Sequence, residues 1–451
     1  MNNTLNELPF ANLTDDKIKR LFGLCELQNC DLISSCDLFN NILESPDSNE
    51  ELNLLSNGAG LNIESKYYNI KQTSKCFEKV NGNGISIIHC NTRSLPKNYD
   101  TLKDILDSFK EQPSVIAISE TKLKEDNIHN LSILGYNFVS THSLSNAGGV
   151  GIYISEKIKF IRRQDLDFIS QDYESCFVEL PRNKQKNILV GCVSRHPSNN
   201  CTIFKEVLSE KLNQINRLGF ETYIAGDINI NLFNYNSNEP TSEYLDMLFD
   251  LGFLPIITKA TRITYHTSTL IDHIYTNTPE KIVQSGICLV DISDHLPCFC
   301  TATTKLPNII HKKYYRDFSN FDSNHFSDDL RKIDFKAIVN EDVNKSMNNL
   351  TNLLLEITNK HAPIRKVTNK KKKQLKRPWI TKGILSSIKK RQKLFKSHFL
   401  SSDIQTRKEY KIYRNKLIKL KSIAKRDYFE SQFLNYKSNI KMTWTYRYTN
   451  K

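Results

Sequence analysis

The chain has 451 residues, of which 39% are hydrophobic and 10% aromatic, and it carries a formal net charge of +14. This length and apolar content predict at least one globular, enzyme-sized unit with a sizeable core. No apolar run is long enough to span a bilayer, and the eleven scattered cysteines follow no signal peptide, which excludes a membrane-spanning protein and favours a reducing compartment over a disulfide framework.

Residues 1–84 form the first predicted segment, a leader rich in Asn, Ser and Leu. Few periodic apolar stretches occur in it, so we expect poor order, with a short helix near Asp15 to Leu24. Three cysteines of this segment (Cys25, Cys30 and Cys36) form no CxxC pair and have no His nearby. We therefore interpret them as ordinary thiols and not as a zinc site.

Residues 85–304 contain short apolar runs bounded by turn residues or charges, a pattern that predicts buried strands. Between them, Tyr99 to Phe109 and Ile203 to Leu218 have apolar residues at spacings of three and four, which predicts helices. Many strands with few long helices indicate an α/β (α+β) sandwich, in which two packed mixed β-sheets are flanked by helices. The apolar runs are ISIIHC, VIAIS, GVGIYI, CFVEL, NILVGCV and TYIAG.

Residues 305–451 are predicted to be a basic helical extension. A moderately apolar helix is expected over Phe335 to Lys360, followed by a basic run and by helices that include Lys389 to Lys396 and Tyr410 to Phe433. The charge changes sign at this boundary. Residues 1–304 carry 27 Lys and Arg against 37 Asp and Glu (net −10), whereas 305–451 carry 36 against 12 (net +24).

Such a basic segment predicts a polyanionic partner. Aromatic residues are interleaved with its charges and could stack on bases, which favours nucleic acid over a merely solvated helix. The run of four lysines fits a nucleic-acid contact, a nuclear-import signal and a solvated linker equally well. These lysines are Lys370, Lys371, Lys372 and Lys373.

Polar side chains that could carry chemistry stand at the ends of several predicted strands. Taken singly, each has an ordinary explanation, such as a turn, a tight bend or a solvated charge. Together they indicate a site, because strand ends are where sheets present functional groups. The candidates are Asn91, Glu120, Asp227, Asn229, Asp272, His273, Asp294 and His295.

Carboxylates combined with an imidazole suit the hydrolysis of a phosphodiester. That reaction needs an electrophile to hold the phosphate oxygens, a base to generate hydroxide, and a group that stabilises the leaving oxygen. Hard oxygen ligands without paired cysteines favour Mg²⁺, with Mn²⁺ as the alternative, over zinc.

The motifs CNTRSL, SETKL, GDININ, TLIDHIY and SDHLP resemble the endonuclease/exonuclease/phosphatase superfamily. They are most similar to the apurinic-like endonuclease domain of LINE-type (non-LTR, jockey-like) retrotransposon polyproteins, and the likeness covers about Ile85 to Thr303. Downstream, HAP, RPWIT and AKRDYF resemble the linker before reverse transcriptase in those elements, and LPFANLTDD resembles their leaders.

The resemblance implies a Mg²⁺-dependent endonuclease that nicks double-stranded DNA and leaves a 3′-hydroxyl for target-primed reverse transcription. It also implies a nuclear location, element RNA as a second partner of the basic extension, and a polyprotein that continues past Lys451 into a reverse transcriptase. By the same resemblance, Glu120 is the principal metal ligand, with Asn91 and Asp294 near the metal.

The resemblance assigns the remaining catalytic roles to four residues. Asp227 would polarise the attacking water, and Asn229 would orient that water or hold a phosphate oxygen. Asp272 would accept a hydrogen bond from His295 and so fix its tautomer, leaving the other ring nitrogen to face the scissile phosphate.

Two positions depart from the family pattern. The segment VSRHPS has Ser194 where the family has a tyrosine thought to touch the phosphate, so Ser194 and Arg195 become the candidate substrate contacts and reduced activity is expected. Arg93 replaces an acid of the repair-enzyme relatives, although LINE-type enzymes commonly lack that acid.

Two other functions stay open from the sequence. One is a catalytically decayed fragment that only binds nucleic acid, and Ser194 is its best support. The other is a phosphoinositide or sphingomyelin phosphoesterase of the same superfamily, against which the basic extension and the absence of a secretory or membrane-anchoring segment both argue.

Overall fold

The structure is a computed structural model that describes residues 63–123, 131–145, 148–183, 185–197, 201–264, 267–306, 314–318, 320–334, 342–366, 377–400 and 404–435. The chain divides into two compact units, and the first combines Met1–Ile309 with Trp379–Lys451. The second unit is Ile310–Pro378. None of the helices in the described ranges combines the length and apolarity needed to cross a membrane.

The first unit carries most of the strands, and both units contain helices. The strands are β1 (Lys66–Tyr68), β2 (Ile85–Asn91), β3 (Val115–Ser119), β4 (Tyr136–Thr141), β5 (Val150–Ser155), β6 (Ile161–Arg162), β7 (Tyr173–Leu180), β8 (Ile188–Arg195), β9 (Glu221–Asp227), β10 (Leu254–Pro255), β11 (Arg262–Ile263), β12 (Ser268–Thr269), β13 (Asp272–Thr276), β14 (Ile282–Cys288), β15 (Cys298–Ala302), β16 (Tyr314–Arg316) and β17 (Ile364–Lys366). The helices are α1 (Ile70–Val80), α2 (Leu95–Ser108), α3 (Cys201–Leu218), α4 (Glu239–Asp250), α5 (Ser323–Arg331), α6 (Val343–His361), α7 (Lys382–Leu400) and α8 (Ile404–Asn435).

Two mixed sheets form the body of the first unit. The seven-stranded sheet has the order β1-β14-β15-β2-β3-β5-β4, and the six-stranded sheet has the order β10-β13-β9-β8-β7-β6. The neighbours β1 and β14, β2 and β3, and β8 and β9 run parallel, whereas the other pairs in these sheets are antiparallel. The predicted sandwich of two packed mixed sheets with flanking helices is confirmed.

Strand β2 shows why the central strands read as continuous apolar runs. Successive side chains of a strand point to opposite faces. Ile85 and Ile87 belong to the core between the sheets, whereas Ile88 and Cys90 belong to a second core beneath the outer helices. Because both faces of β2 are buried, apolar residues follow one another without alternation.

The folded unit begins upstream of residue 85, where the sequence analysis placed the end of the leader. Residues 63–84 contain β1, which pairs with β14, and α1, which begins with a capping box at Asn69. Tyr67 is 2% exposed and Phe77 is 1% exposed. The rest of the predicted leader, including its short helix and its three cysteines, lies outside the described residues.

Helices α7 and α8 pack on the sandwich and do not form a separate extension. They meet each other through a small cluster that includes Ile388 and Leu417, and Phe395 and Tyr410 join the main core. The Lys421 ammonium of α8 donates to the Asp104 carboxylate of α2 over 2.7 Å, and both side chains are buried. The predicted pair of long C-terminal helices is confirmed, with longer bounds than expected.

The helical extension predicted over residues 305–451 is present, and the second unit adds two short strands that the sequence did not predict. Strands β16 and β17 pair antiparallel, beside helices α5 and α6. Helix α6 ends at His361, and Ala362 precedes Pro363. The residue before a proline is disfavoured in the helical conformation, so the chain leaves the helix at Ala362 and continues as a strand. The four lysines at 370–373 lie outside the described residues.

Candidate active site

The ends of five elements meet at one edge of the sandwich. Strands β2, β3 and β9 finish there with Asn91, Glu120 and Asp227, of which Glu120 directly follows β3. Strand β13 runs antiparallel to β9 and therefore begins at the same edge, with Asp272 opposite Asp227. His295 lies just before β15, which is antiparallel to β2. Five residues predicted for the site are thus brought together.

Glu120, Asp227 and Asn91 form the centre of the cluster. The amide nitrogen of Asn91 donates to Glu120 Oε1 over 2.8 Å and to Asp227 Oδ2 over 2.7 Å. The amide oxygen of Asn91 accepts a hydrogen bond of 2.9 Å from the Arg93 backbone. Asn91 therefore bridges the two sheets and holds the two carboxylates together.

The same cluster could hold a metal ion. Ligand atoms of Glu120, Asp227 and His295 all lie within 4.8 Å of one another. Glu120 is partly exposed, whereas Asp227 and His295 are buried, so a bound ion could be reached from solvent on the Glu120 side. Two carboxylates with one imidazole are donors that a divalent cation accepts in proteins.

His295 is held by Asp272, as the resemblance implied. Its Nδ1 lies 2.8 Å from Asp272 Oδ2, which leaves Nε2 free of that contact. Burial alone would lower the pKa of His295, but the carboxylates of Asp272, Asp227 and Asp294 outweigh it and raise that pKa to about 9. At neutral pH the imidazole is therefore positively charged.

The pKa of Asp227 is also raised, but here burial is the main cause. Burial and the neighbouring Asp272 raise its pKa to about 7, although His295 opposes this shift. A carboxyl group that titrates near neutrality can take up a proton at physiological pH, which is the property a general base requires.

Backbone strain is concentrated at this edge. Among the described residues, the non-glycine residues with positive φ are Arg93 (52°), Glu120 (49°), Lys122 (50°) and Asn229 (53°). Each such conformation costs about 1 kcal/mol or more and persists only where the surrounding structure imposes it. All four belong to the segments that surround the carboxylate cluster. Backbone strain is expected where the placement of a side chain requires an unfavourable backbone conformation.

Asp294 lies beside the cluster but is engaged elsewhere. Its Oδ1 is 2.9 Å from Arg93 Nε, and its Oδ2 accepts from Arg262 Nε over 3.0 Å. Asp294 is not among the residues whose ligand atoms converge with those of Glu120. In this structure it fixes two arginines at the rim and contributes to the field around His295.

Asn229 and Arg195 are joined by hydrogen bonds in both directions. The Asn229 amide donates to the Arg195 carbonyl over 2.7 Å, and the Arg195 guanidinium donates to the carbonyls of Ile228 and Asn229, both over 2.9 Å. Arg195 is 5% exposed, and these bonds direct its side chain to the loop after β9. It therefore shapes that loop here, which differs from its expected contact with substrate.

Ser194 is also buried, at 2% exposure, and it faces Glu174 on the neighbouring strand β7. Glu174 itself is fully buried and accepts from His196 over 3.1 Å, and it contacts Ser143 as well.

The sequence analysis did not identify His89 and His196. His89 lies on β2 two residues before Asn91, so both point to the same face, and this spacing could have revealed it. Its Nε2 is 3.0 Å from Ser119 Oγ, and burial lowers its pKa to about 4, so it stays neutral behind Asp272.

The other histidines lie beside the cluster or behind it. The pKa of His196 is raised by its hydrogen bond with Glu174 and, to a smaller extent, by the charge of Glu120. His273 contacts backbone carbonyls in the core and takes no part in the cluster.

The fold and this cluster together define a class of protein: an α/β sandwich that gathers carboxylates and an imidazole where two sheets meet, as phosphate-ester hydrolysis requires. Residues 74–295 match the model of the Endonuclease/Exonuclease/phosphatase family. The chain thus carries a domain of that family, whose members are hydrolytic nucleases and phosphatases. A search of curated proteins found no match to the sequence.

Solved structures similar to this one include three DNA-processing proteins. The AP endonuclease LMAP from Leishmania major is 15% identical with a TM-score of 0.41, over 49% of this chain and 88% of that one. The APE2 catalytic domain of Xenopus laevis is 18% identical with a TM-score of 0.38, over 48% and 91%. The endonuclease domain of TRAS1, a telomere-specific non-LTR retrotransposon, is 12% identical with a TM-score of 0.38, over 50% and 100%.

Proposed function

We propose that this site hydrolyses a DNA phosphodiester with a divalent metal, Mg²⁺ in preference to Mn²⁺, and leaves a nick with a 3′-hydroxyl. In a retrotransposon polyprotein working in the nucleus, that hydroxyl would prime reverse transcription. The observation that carries the proposal is the convergence of Glu120, Asp227 and His295 within 4.8 Å, with Asn91 bridging the carboxylates.

Two side chains of the site act directly on the reacting groups. The oxygen of a water forms a bond to phosphorus while the bond from phosphorus to the 3′-oxygen breaks, and Asp227 takes the proton of the water. The imidazolium of His295, fixed by Asp272, donates a hydrogen bond to the phosphate and stabilises its growing negative charge. The departing 3′-oxygen takes a proton from solvent water and becomes the 3′-hydroxyl. A cation bound at Glu120 would supply further positive charge at the phosphate oxygens.

The pKa values fit these roles. Burial and the neighbouring Asp272 raise the pKa of Asp227, so this carboxylate binds a proton more readily than an exposed one, and the surrounding carboxylates raise the pKa of His295, so its imidazole keeps its proton. DNA is favoured as the substrate by the sequence resemblance and by the net charge of +24 on residues 305–451.

A plasmid assay tests this function. We expect the purified protein to convert supercoiled plasmid to the nicked form with Mg²⁺ but not with EDTA. Glu120→Ala and His295→Ala should each lower the rate at least about a hundredfold, since each removes a group that acts on the phosphate. Glu206→Gln, an exposed carboxylate on α3, is the matched control and should nick like the wild type.

The outcome separates the alternatives. Nicking that persists in EDTA, or in both active-site variants, would contradict the proposal. Absence of nicking, together with salt-sensitive plasmid binding, would support a decayed nucleic-acid-binding protein. Metal-dependent hydrolysis of phosphoinositide or sphingomyelin vesicles, without plasmid nicking, would support a lipid phosphoesterase.

A further inference from the structure

A cavity of about 620 Å³ opens beside Glu120, and the C-terminal helices form one of its walls. The nuclease side of the cavity comes from β3, α2 and the segments next to them, whereas Arg391 of α7 and Arg414 of α8 come from outside the family domain. Its volume lies within the range of about 300–1,000 Å³ that is common for ligand sites. The charged lining residues that matter here are Arg93, Lys97, Glu120, Lys122, Arg391 and Arg414.

The cavity is cationic. Five basic side chains line it, against two acids, Glu120 and Asp291. Glu120 belongs to the carboxylate cluster and Arg93 is paired with Asp294. The remaining positive charge comes from two exposed lysines on the nuclease side and from the two arginines of the C-terminal helices. This balance favours an anionic ligand.

Arg391 is the clearest indication that this cavity is a preformed anion-binding site. It is 2% exposed, yet its Nε has no hydrogen-bond partner among the described residues, and the buried Nε of Arg414 has none either. A buried N–H donor without an acceptor costs free energy. Asp291 lies close enough to interact electrostatically with both arginines, but burial raises its pKa in spite of them. An arriving phosphate group would offer these donors the acceptors that they lack.

The two arginines are held in place by the packing of the helices. Lys421 of α8 donates to Asp104 of α2, and Phe395 of α7 and Tyr410 of α8 belong to the main core. A side chain on a docked helix pays little ordering entropy on binding. Arg391 and Arg414 are therefore preorganised beside the carboxylate cluster.

We propose that Arg391 and Arg414 bind a backbone phosphate of the DNA strand that is cut, close to the scissile phosphate at Glu120. This inference rests on the proposed nuclease function. It assigns to the C-terminal helices a direct part in substrate binding, so that the nuclease site is completed by a segment that follows the family domain in sequence.

Binding in EDTA tests the inference, because no cleavage takes place and only affinity is measured. The probe is a short fluorescein-labelled DNA duplex, titrated with full-length protein by fluorescence anisotropy at several salt concentrations. Arg414→Gln should weaken binding about fivefold to tenfold and lower the slope of log Kd against log salt by about 1, as expected for one lost phosphate contact. Arg391→Gln should act in the same way if its thermal unfolding remains like that of the wild type.

Arg407→Gln removes an exposed arginine from α8 that does not line the cavity, and it should keep the wild-type affinity and slope. Glu120→Ala should bind at least as tightly as the wild type, because it removes a negative charge. The inference is overturned if Arg414→Gln keeps the wild-type affinity and slope, if Arg407→Gln weakens binding equally, or if the wild-type protein does not bind the duplex.

The two proposals can fail separately. A protein that binds DNA through Arg414 but never nicks it would contradict the nuclease function and leave the phosphate site standing. A protein that nicks DNA, while Arg414→Gln nicks and binds normally, would support the nuclease function and contradict the phosphate site.

Discussion

At the scale of single residues, the site depends on a chain of charges that runs inward from the surface. Glu120 is partly exposed, Asp227 and His295 are buried, and Asp272 lies behind them with no exposed surface. On the inner side of Asp272 lies the buried His89, whose Nδ1 is 3.7 Å from Asp272 Oδ1. Because the buried Asp272 is ionised, it keeps His295 protonated, and a protonated His295 in turn helps to ionise Asp227.

Asp272→Asn tests this electrostatic coupling. Asp272 is the largest influence that raises the pKa of His295, so we expect that pKa to fall from about 9 by more than about one unit. The measurement is an NMR titration of the His295 ring in EDTA. Asp294→Asn is the matched control and should lower the pKa less, because Asp294 is the weakest of the three acidic neighbours.

The sign of the effect on stability follows from the same pKa. A raised histidine pKa stabilises the folded chain fully below the ordinary value of 6.5, and this stabilisation is lost as the pH rises through about 9. In Asp272→Asn the loss should occur at lower pH. An unchanged His295 titration in that variant would contradict the coupling.

The sequence could predict the residues of this cluster because each one ends an apolar run. It could not predict the partners that arrive from distant segments. Arg391 is 271 positions from Glu120 (391 − 120), and nothing in the local pattern of α7 distinguishes it from the other basic residues of that helix. The burial of Arg391 and its Nε without a hydrogen-bond partner become visible only in the folded chain.

At the scale of secondary-structure elements, a buried ion pair links α8 to α2 of the sandwich. The side chains of Lys421 and Asp104 are 8% and 0% exposed, with 2.7 Å between Nζ and Oδ2. Lys421→Met should lower the free energy of unfolding by about 3 kcal/mol, because it leaves a carboxylate buried without its cation. Chemical denaturation measures this loss.

The double variant completes the test of this pair. Asp104→Leu combined with Lys421→Met should recover much of the loss, since apolar side chains can replace a buried ion pair at little cost. Lys419→Met, an exposed neighbour on α8, should change stability by less than about 0.5 kcal/mol. Equal effects of Lys421→Met and Lys419→Met would mean that the pair does not anchor the helix.

The elements that the sequence predicted and those that it missed differ in burial. Strands β2, β3 and β9 are buried on both faces, so their apolar runs stand out from the surrounding sequence. Strand β14 has the sequence IVQSGIC and begins with partly exposed residues, so its apolar signal is interrupted. Its place is set by pairing with β1 and β15, which only the tertiary fold provides.

At the scale of the whole molecule, sequence order and spatial order diverge. The predicted boundary at residue 304 follows the change in charge, whereas the compact units place Trp379–Lys451 together with the sandwich and set Ile310–Pro378 apart. The sequence motifs RPWIT and AKRDYF also meet in space, because Trp379 packs against Tyr428 and Phe429 with ring centroids 6.0 and 5.5 Å apart. The change in charge therefore does not mark the boundary between the compact units, which is set by packing.

The N-terminal boundary of the folded sandwich can be tested by deletion from the otherwise full-length chain. A chain that begins at residue 63 should unfold at the same denaturant concentration as the wild type, because the composition of the removed residues predicts a poorly ordered leader. A chain that begins at residue 85 lacks β1 and α1, and with them Tyr67 and Phe77. Loss of one buried Phe side chain alone costs about 3–5 kcal/mol, and the unpaired edge of β14 adds to it. We therefore expect this shorter chain to be insoluble or to unfold at a clearly lower denaturant concentration, and equal midpoints for the two deletions would place the boundary at 85 after all.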